Sequence, residues 1–208
     1  MKELYRGAES VIYLGSFDGQ KAIVKERLEK KYRVKELDEK LRKERTRKEV
    51  KLLTEARKIG ISTPRILEVD EGKSIIVMEN ISGEMIKDIL FSNEESAKDV
   101  CYEIGRSVGK LHHHNIIHGD LTTANMILKD GQIYFIDFSL GGESGRDEDK
   151  GVDLKLFQEV LNSTHFKVAD ECWVAFAEGY KKEYFNAERI LKKVKEIKRR
   201  VRYAERGE

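Results

Sequence analysis

Residues 117–128 read IHGDLTTANMIL, and residues 136–141 read IDFSLG. Asp120, Thr122, Thr123, Asn125 and Asp137 sit among apolar runs patterned as buried strand or helix. Burying such groups without partners costs free energy, so this placement marks a site rather than a core. Asn125 follows Asp120 at the fifth position, and Asp137 follows the apolar strand residues 133–136. Two carboxylates and an amide gathered on loop ends are hard oxygen ligands. They suit Mg²⁺, which takes few protein ligands and completes its shell with phosphate and water. The pattern points to a nucleotide site.

The rest of the chain bounds that reading. With 208 residues and 39% hydrophobic content it can fill one well-cored unit or two small lobes. Charged residues make up 38%, 40 basic against 38 acidic, so the net charge of +2 reflects a dense mixture of both signs. The only cysteines, Cys101 and Cys172, are far apart in sequence and lack CxxC spacing, which argues against a disulfide framework or a zinc site and fits a reducing cytoplasm. No apolar run approaches the length of a membrane span, so a soluble protein without membrane partners is expected.

Upstream of the polar cluster, VIYLG at 11–15 and KAIVKE at 21–26 flank Asp18-Gly19 and predict a hairpin. Residues 27–58 carry charges on a helical period, with Val50, Leu53, Ala56 and Arg57 forming a mostly apolar stripe that ends at Gly60. RILEVD and SIIVMEN, split at Glu71-Gly72, predict two further strands. From Ser92 the periodicity becomes helical, with Val100, Ile104, Val108 and Leu111 on one face and Gly105 and Gly109 permitting a neighbouring backbone to approach closely. MILK and QIYFIDF form a second hairpin around Asp130-Gly131, and helices are expected at about 152–162 and 169–184. The lobe boundary falls near Glu79–Gly83, giving expected units 1–80, 81–188 and a basic C-terminal helix or tail at 189–208.

The order Asp120, Asn125, Asp137-Phe138, with AIVK at 22–25 and Glu49 upstream, resembles the protein-kinase signature, with HGD and DFS in place of the usual HRD and DFG. The resemblance implies an α+β, bilobal protein-kinase-like fold: an N-lobe antiparallel sheet with one packed helix, and a reduced, mainly helical C-lobe with a short activation segment. It also implies roles. Lys25 would hold the α and β phosphates of ATP, Glu49 would orient Lys25 through an ion pair, Asp137 and Asn125 would bind Mg²⁺, and Asp120 would orient or deprotonate the attacking hydroxyl or water. Gly7, Glu79 and Ile81 are further ATP-binding positions in this assignment. His118 would pack beneath the metal loop, and Asp153 in GVDLKLF would brace the catalytic loop.

The departures narrow the family. RGAESV at 6–11 has a single glycine, Gly7, where three are expected, and Glu9 would repel phosphate unless it binds metal or Lys25. Only fifteen residues separate Asp137 from Asp153, and no APE sequence is present. With GISTPRI, a basic C-terminal extension and the stretch RTRKEVKLLTEARKIGISTP, these features make the chain similar to the small atypical kinase subunit of the KEOPS complex, a family related to the RIO kinases. That resemblance implies a Mg²⁺-dependent ATPase or serine/threonine kinase whose partners are the tRNA threonylcarbamoyladenosine synthase subunit and other KEOPS subunits. In some archaea the kinase and synthase are fused. A small-molecule phosphotransferase of the aminoglycoside or choline kinase type, and a silent scaffold with an RNA-binding tail, are the competing readings.

In ERILKKVKEIKRRVRYAERGE at 188–208, Ile190, Val194, Ile197 and Val201 keep helical spacing, so the first half predicts a docked helix. Beyond Lys198, Arg199, Arg200, Arg202 and Arg206 are expected on a mobile tail that reaches tRNA phosphates. His112, His113 and His114 point in different directions on a helix and read as a helix end rather than a metal cluster. Trp173, Val174, Phe176 and Tyr180 read as core, and Ser139 as a backbone-tolerant replacement carrying little functional information.

Overall fold

The computed structural model describes residues 1–92 and 94–204. Three strands open the chain: β1 (Lys2–Arg6), β2 (Ser10–Phe17) and β3 (Gln20–Arg27). Asp18 and Gly19 turn β2 into β3 with φ of 47° and 78°, the left-handed pair that a two-residue hairpin needs. β4 (Ile66–Asp70) and β5 (Ile75–Glu79) complete an antiparallel sheet of order β1-β2-β3-β5-β4. Strand β1 had no sequence signal: its residues, KELYR, are all exposed, so no buried face imposed an alternation. Helix α1 (Lys35–Lys58) starts later than the charge periodicity predicts: β3 runs through Arg27, and residues 28–34 are loop.

The remaining elements are β6 (Glu84–Met85), α2 (Ile86–Ser92), α3 (Glu94–His113), β7 (Ile116–Ile117), β8 (Met126–Lys129), β9 (Gln132–Phe135), β10 (Gly142–Glu143), α4 (Asp147–Thr164), α5 (Ala169–Glu183) and α6 (Ala187–Ala204). Helix α2 precedes the predicted helical segment and buries Ile86, Ile89 and Leu90, an i, i+3, i+4 set within only seven residues. Helix α4 begins at Asp147, ahead of the expected 152, where Asp147, Glu148 and Asp149 place negative charge on its N-terminal turn. The β8–β9 hairpin joins β6 in one small sheet, and β7 pairs with β10 in another.

The lobes are stitched together by α1. Its Leu52, Leu53 and Ala56, with Ile61 beyond it, bury in the same apolar cluster as Ile104, Leu121, Phe138 and Phe157 of the helical lobe. The Phe135 amide also donates to the Ser62 carbonyl at 2.9 Å. The C-terminal half of α1 thus rests on the loops after β7 and β9, which sets where Glu49 can point.

At the far end, α6 buries Ile190, Val194 and Ile197. The expected mobile tail beyond Lys198 is instead helix through Ala204. Arg189 pairs with Asp147 and Arg200 with Glu148, joining α6 to the acidic start of α4. Arg206 and the side chains of Val201 and Arg202 lie outside the described residues.

Candidate nucleotide site

Successive side chains on a strand alternate faces, so Lys25 and Arg27 leave β3 on the same side. Both reach Glu49 of α1. Lys25 Nζ lies 2.6 Å from Glu49 Oε1, and an Arg27 amino group lies 2.5 Å from Oε2. All three residues are nearly inaccessible to solvent. Lys25 Nζ also lies 2.8 Å from Asp137 Oδ1, so one ammonium joins the strand, the helix and the loop after β9. Burial alone would raise the Asp137 carboxyl; Lys25 and the hydroxyl and amide of Ser139 outweigh it and hold the pKa at about 2. Asp137 is therefore ionised at neutral pH. Its backbone is left-handed, with φ of 61°, a conformation that aspartate tolerates better than most residues.

Ser139 is not the neutral replacement expected from sequence. Its hydroxyl accepts from Lys25 Nζ at 2.9 Å, lies 3.2 Å from Glu49 Oε2 and bonds Asp137 Oδ1. Arg27 also lies within 3.3 Å of it. One small hydroxyl touches two cations and two carboxylates. Arg27 escaped the sequence reading, and Ser139 was read there only as a backbone-tolerant replacement. For Arg27 a signal existed, since its two-residue offset from Lys25 puts it on the lysine's face.

The second half of the cluster lies on the loop after β7. Asn125 Nδ2 donates to both the carbonyl oxygen and Oδ2 of Asp120, each at 2.9 Å. The Asn125 carbonyl accepts from the Ile136 amide at 2.9 Å, so the loop is fastened beside Asp137. Beneath it His118 is fully buried, its ring 4.5 Å from that of Phe138 and 6.1 Å from that of Phe135. Burial pushes its imidazole pKa down. Asp153 accepts the amides of His118 and Gly119, both at 2.8 Å.

At the mouth, the loop between β1 and β2 behaves differently from expectation. Glu9 pairs with Arg45 of α1 rather than with Lys25, and Arg45 holds its carboxyl below the usual range. The Gly7 amide donates to the Ser10 carbonyl at 2.9 Å, closing the turn on itself. Glu79, at the end of β5, pairs with Arg65 at 3.3 Å, and Ile81 just beyond it is buried. Asp137 and Asn125 supply a carboxylate and an amide oxygen, the hard donors that Mg²⁺ prefers. Among the described residues no group of three or more His, Cys, Asp and Glu forms a metal site. A cation held here would draw its other ligands from phosphate and water, so the residues fit Mg²⁺ carried with a polyphosphate.

The chain is similar to known proteins over most of its length. The RIO domain model matches residues 13–142. The chain is 44% identical to the KEOPS complex subunit Bud32 of Pyrococcus abyssi, an alignment that covers 100% of this chain and 98% of that protein. It is 43% identical to a probable bifunctional tRNA threonylcarbamoyladenosine biosynthesis protein of Methanothermobacter thermautotrophicus, over 97% of this chain but only 36% of that longer protein. Among solved structures, the Rio2 kinase–ADP/Mg²⁺–phosphoaspartate complex from Chaetomium thermophilum has a TM-score of 0.66 at 13% identity, covering 98% of this chain and 72% of that one, a likeness of fold. From Tyr13 through Gly142, across the strand lysine, the helix glutamate and both aspartates, the chain belongs to the RIO domain family.

Proposed function

We propose that this chain is a Mg²⁺-dependent ATPase or atypical serine/threonine kinase that acts as a KEOPS subunit in the threonylcarbamoyladenosine modification of tRNA, in the cytoplasm and beside the synthase subunit. The observation that carries the enzymatic part is Lys25 held between Glu49 and Asp137 at 2.6 and 2.8 Å. The near end-to-end similarity to a Bud32 subunit and to the bifunctional proteins supports the partners. In this reading residues 1–80 and 81–188 are the two lobes, and 189–208 form a basic appendage available to tRNA. No described helix is long and apolar enough to cross a membrane.

The residues divide the work. Lys25 donates to the α and β phosphates, and Glu49 keeps it aimed. Because Arg27 also holds Glu49, the glutamate is not left as a lone buried charge when Lys25 turns toward phosphate. Asp137 and Asn125 hold Mg²⁺, which neutralises phosphate charge when bound. Gly7, Glu79 and Ile81 border the nucleotide. The Asn125 amide fixes Asp120 Oδ2, leaving the carboxylate oriented to accept a proton from the attacking hydroxyl or water. The short segment after Asp137 leads through β10 directly into α4, which favours coupled ATP hydrolysis over docking of varied peptides.

ATP turnover measured with and without the synthase subunit tests the reading. Stimulation by the partner is expected, and Asp137→Ala should lower turnover at least a hundredfold, the scale on which loss of transition-state charge stabilisation is felt. Turnover equal in the variant and the unaltered chain would overturn the enzymatic assignment.

A further inference from the structure

Cys101 on α3 and Cys172 on α5 are free and fully buried, although much of the helical lobe separates them in sequence. The two helices run side by side in one parallel register. A Cβ on Gly105 would lie 2.0 Å from the Phe176 carbonyl oxygen, and one on Gly109 would lie 3.0 Å from that of Tyr180. Cys101 and Cys172 are offset in sequence by the same interval as these two pairs, one turn nearer the start of each helix. The glycines leave no side chain to hold the helices apart, so the cysteines meet, and their thiols hydrogen-bond to each other. Ahead of them Lys98 and Glu171 close the same interface with an ion pair at 2.8 Å.

The two thiols differ in their surroundings. Cys101 lies in the body of α3, whereas Cys172 is the fourth residue of α5, its amide bonded to the Val168 carbonyl at 2.9 Å in the turn where a helix frays first. A helix start also favours a thiolate. The Cys101 thiol donates to Cys172 and so lowers the Cys172 pKa, while the same bond, followed by burial, raises that of Cys101. A groove of about 450 Å³ between the helices is lined by Lys98, Tyr102, Glu171 and Val174, residues close in sequence to both cysteines. Nothing in the ATP chemistry uses either thiol.

We propose that Cys101 and Cys172 form a dithiol that closes into a disulfide by exchange with a low-molecular-weight disulfide entering from this groove, and that the new bond staples α5 to α3. The Cys172 thiol gives its proton to water and its thiolate attacks one sulfur of the small disulfide. A mixed disulfide forms, and the other half leaves as a thiolate. Cys101, deprotonated in turn, attacks the Cys172 sulfur; the Cys101–Cys172 bond forms and the second half leaves. The protein dithiol loses two electrons, and the small disulfide is reduced to two thiols that take up the two protons. The closed loop contains Asp120, Asn125, Asp137 and Asp153, so the staple constrains the unfolded chain around the whole candidate site without touching it. It stands whether or not the chain turns over ATP.

The test is incubation of the full chain with oxidised glutathione in native buffer, well below its melting temperature, followed by denaturation, thiol counting and mass measurement. Both thiols should disappear, the mass should fall by two hydrogens with no glutathione retained, and digestion should yield one peptide pair joined through Cys101 and Cys172. The melting temperature should rise by about 10 °C over that of the reduced chain, because closing so long a loop removes much of the freedom of the unfolded state, and dithiothreitol should reverse the gain. Cys101→Ala should retain one glutathione on Cys172, while Cys172→Ala should leave the Cys101 thiol unmodified. Equal labelling of the two variants overturns the order of attack; the unsubstituted chain decides the staple itself. If it keeps two free thiols, retains two glutathiones or joins to a second copy, the proposal is overturned, as it is by a closed disulfide that leaves the melting temperature unchanged.

Discussion

Lys25 and Arg27 leave one strand on one face and share the two oxygens of Glu49, while Asp137 takes the other side of Lys25. Two cations and two carboxylates thus balance in a space closed to water on most sides. Arg27→Met breaks that balance without changing the length of the side chain greatly: Glu49 keeps one cationic partner, Lys25, and the buried group acquires net negative charge. Removing one member of a buried pair typically costs about 3–5 kcal/mol, and a loss near the lower end is expected here because Lys25 remains. Urea unfolding measures it; a loss below about 1 kcal/mol would mean that water reaches Glu49. Lys25, Glu49, Asp120, Asn125 and Asp137 could be singled out because their types and order match the pattern of a nucleotide site. Arg27 was hidden in KERLEKKYR, where one more cation looks like surface. Ser139 was hidden because its role consists wholly of contacts with residues distant in sequence, Lys25 and Glu49.

Helices α3 and α5 approach so closely that side chains beyond hydrogen do not fit at the crossing. A Cβ on Gly105 would lie 2.0 Å from the Phe176 carbonyl oxygen, and one on Gly179 would lie 2.0 Å from that of Tyr102. Backbone cannot yield as a side-chain tip can, so Gly105→Ala must push the helices apart and loosen the packing around Phe176 and Tyr180. Overpacking of this kind costs about 1–3 kcal/mol, and a value at the top of that range is expected. Gly145→Ala is the control, since its Cβ would meet only Asn115 at an ordinary 3.7 Å. Thermal unfolding should separate the two; equal melting temperatures would show that the helix pair is not rigid. The close approach at Gly105 and Gly109 was legible, because small residues on an apolar helix face leave room for a backbone. Its partner at Gly179 was not, since it falls in an unremarkable stretch, FAEGYKK. The short elements β1 and α2 escaped for a related reason: five exposed residues and a single seven-residue run carry too little periodicity to register.

For the whole molecule, the two-lobed plan could be read from the order of strand-rich and helix-rich segments, whereas the joint between them could not. Leu52, Leu53 and Ala56 repeat as any packed helix would, and only the fold reveals that they serve the far lobe. The fold also places titratable groups in the interior, which gives stability a definite dependence on pH. Burial lowers the pKa of His118 and of His165 from an ordinary 6.5. Unfolded, each binds a proton as pH falls through 6.5; folded, each binds it only at lower pH. The unfolded chain therefore holds more protons in that interval, and stability must decline as pH drops below about 6.5. Asp137 extends the decline, since its folded value of about 2 against 3.8 means that stability present above 3.8 is lost as pH falls toward 2. Asp153 is shifted in the same direction, with burial opposed by the hydrogen bond and charge of His112. At the alkaline end burial raises Tyr180 above 10, so its contribution is present below 10 and is lost as pH climbs beyond it. Melting temperature measured across pH in constant salt should show a plateau from about 7 to 9 and two acid steps, the first beginning near 6.5. His165→Gln, which keeps a polar partner for Thr123 but cannot titrate, should shrink that first step. A melting temperature that rises between pH 7 and 5 would mean that the buried histidines are charged in the folded protein.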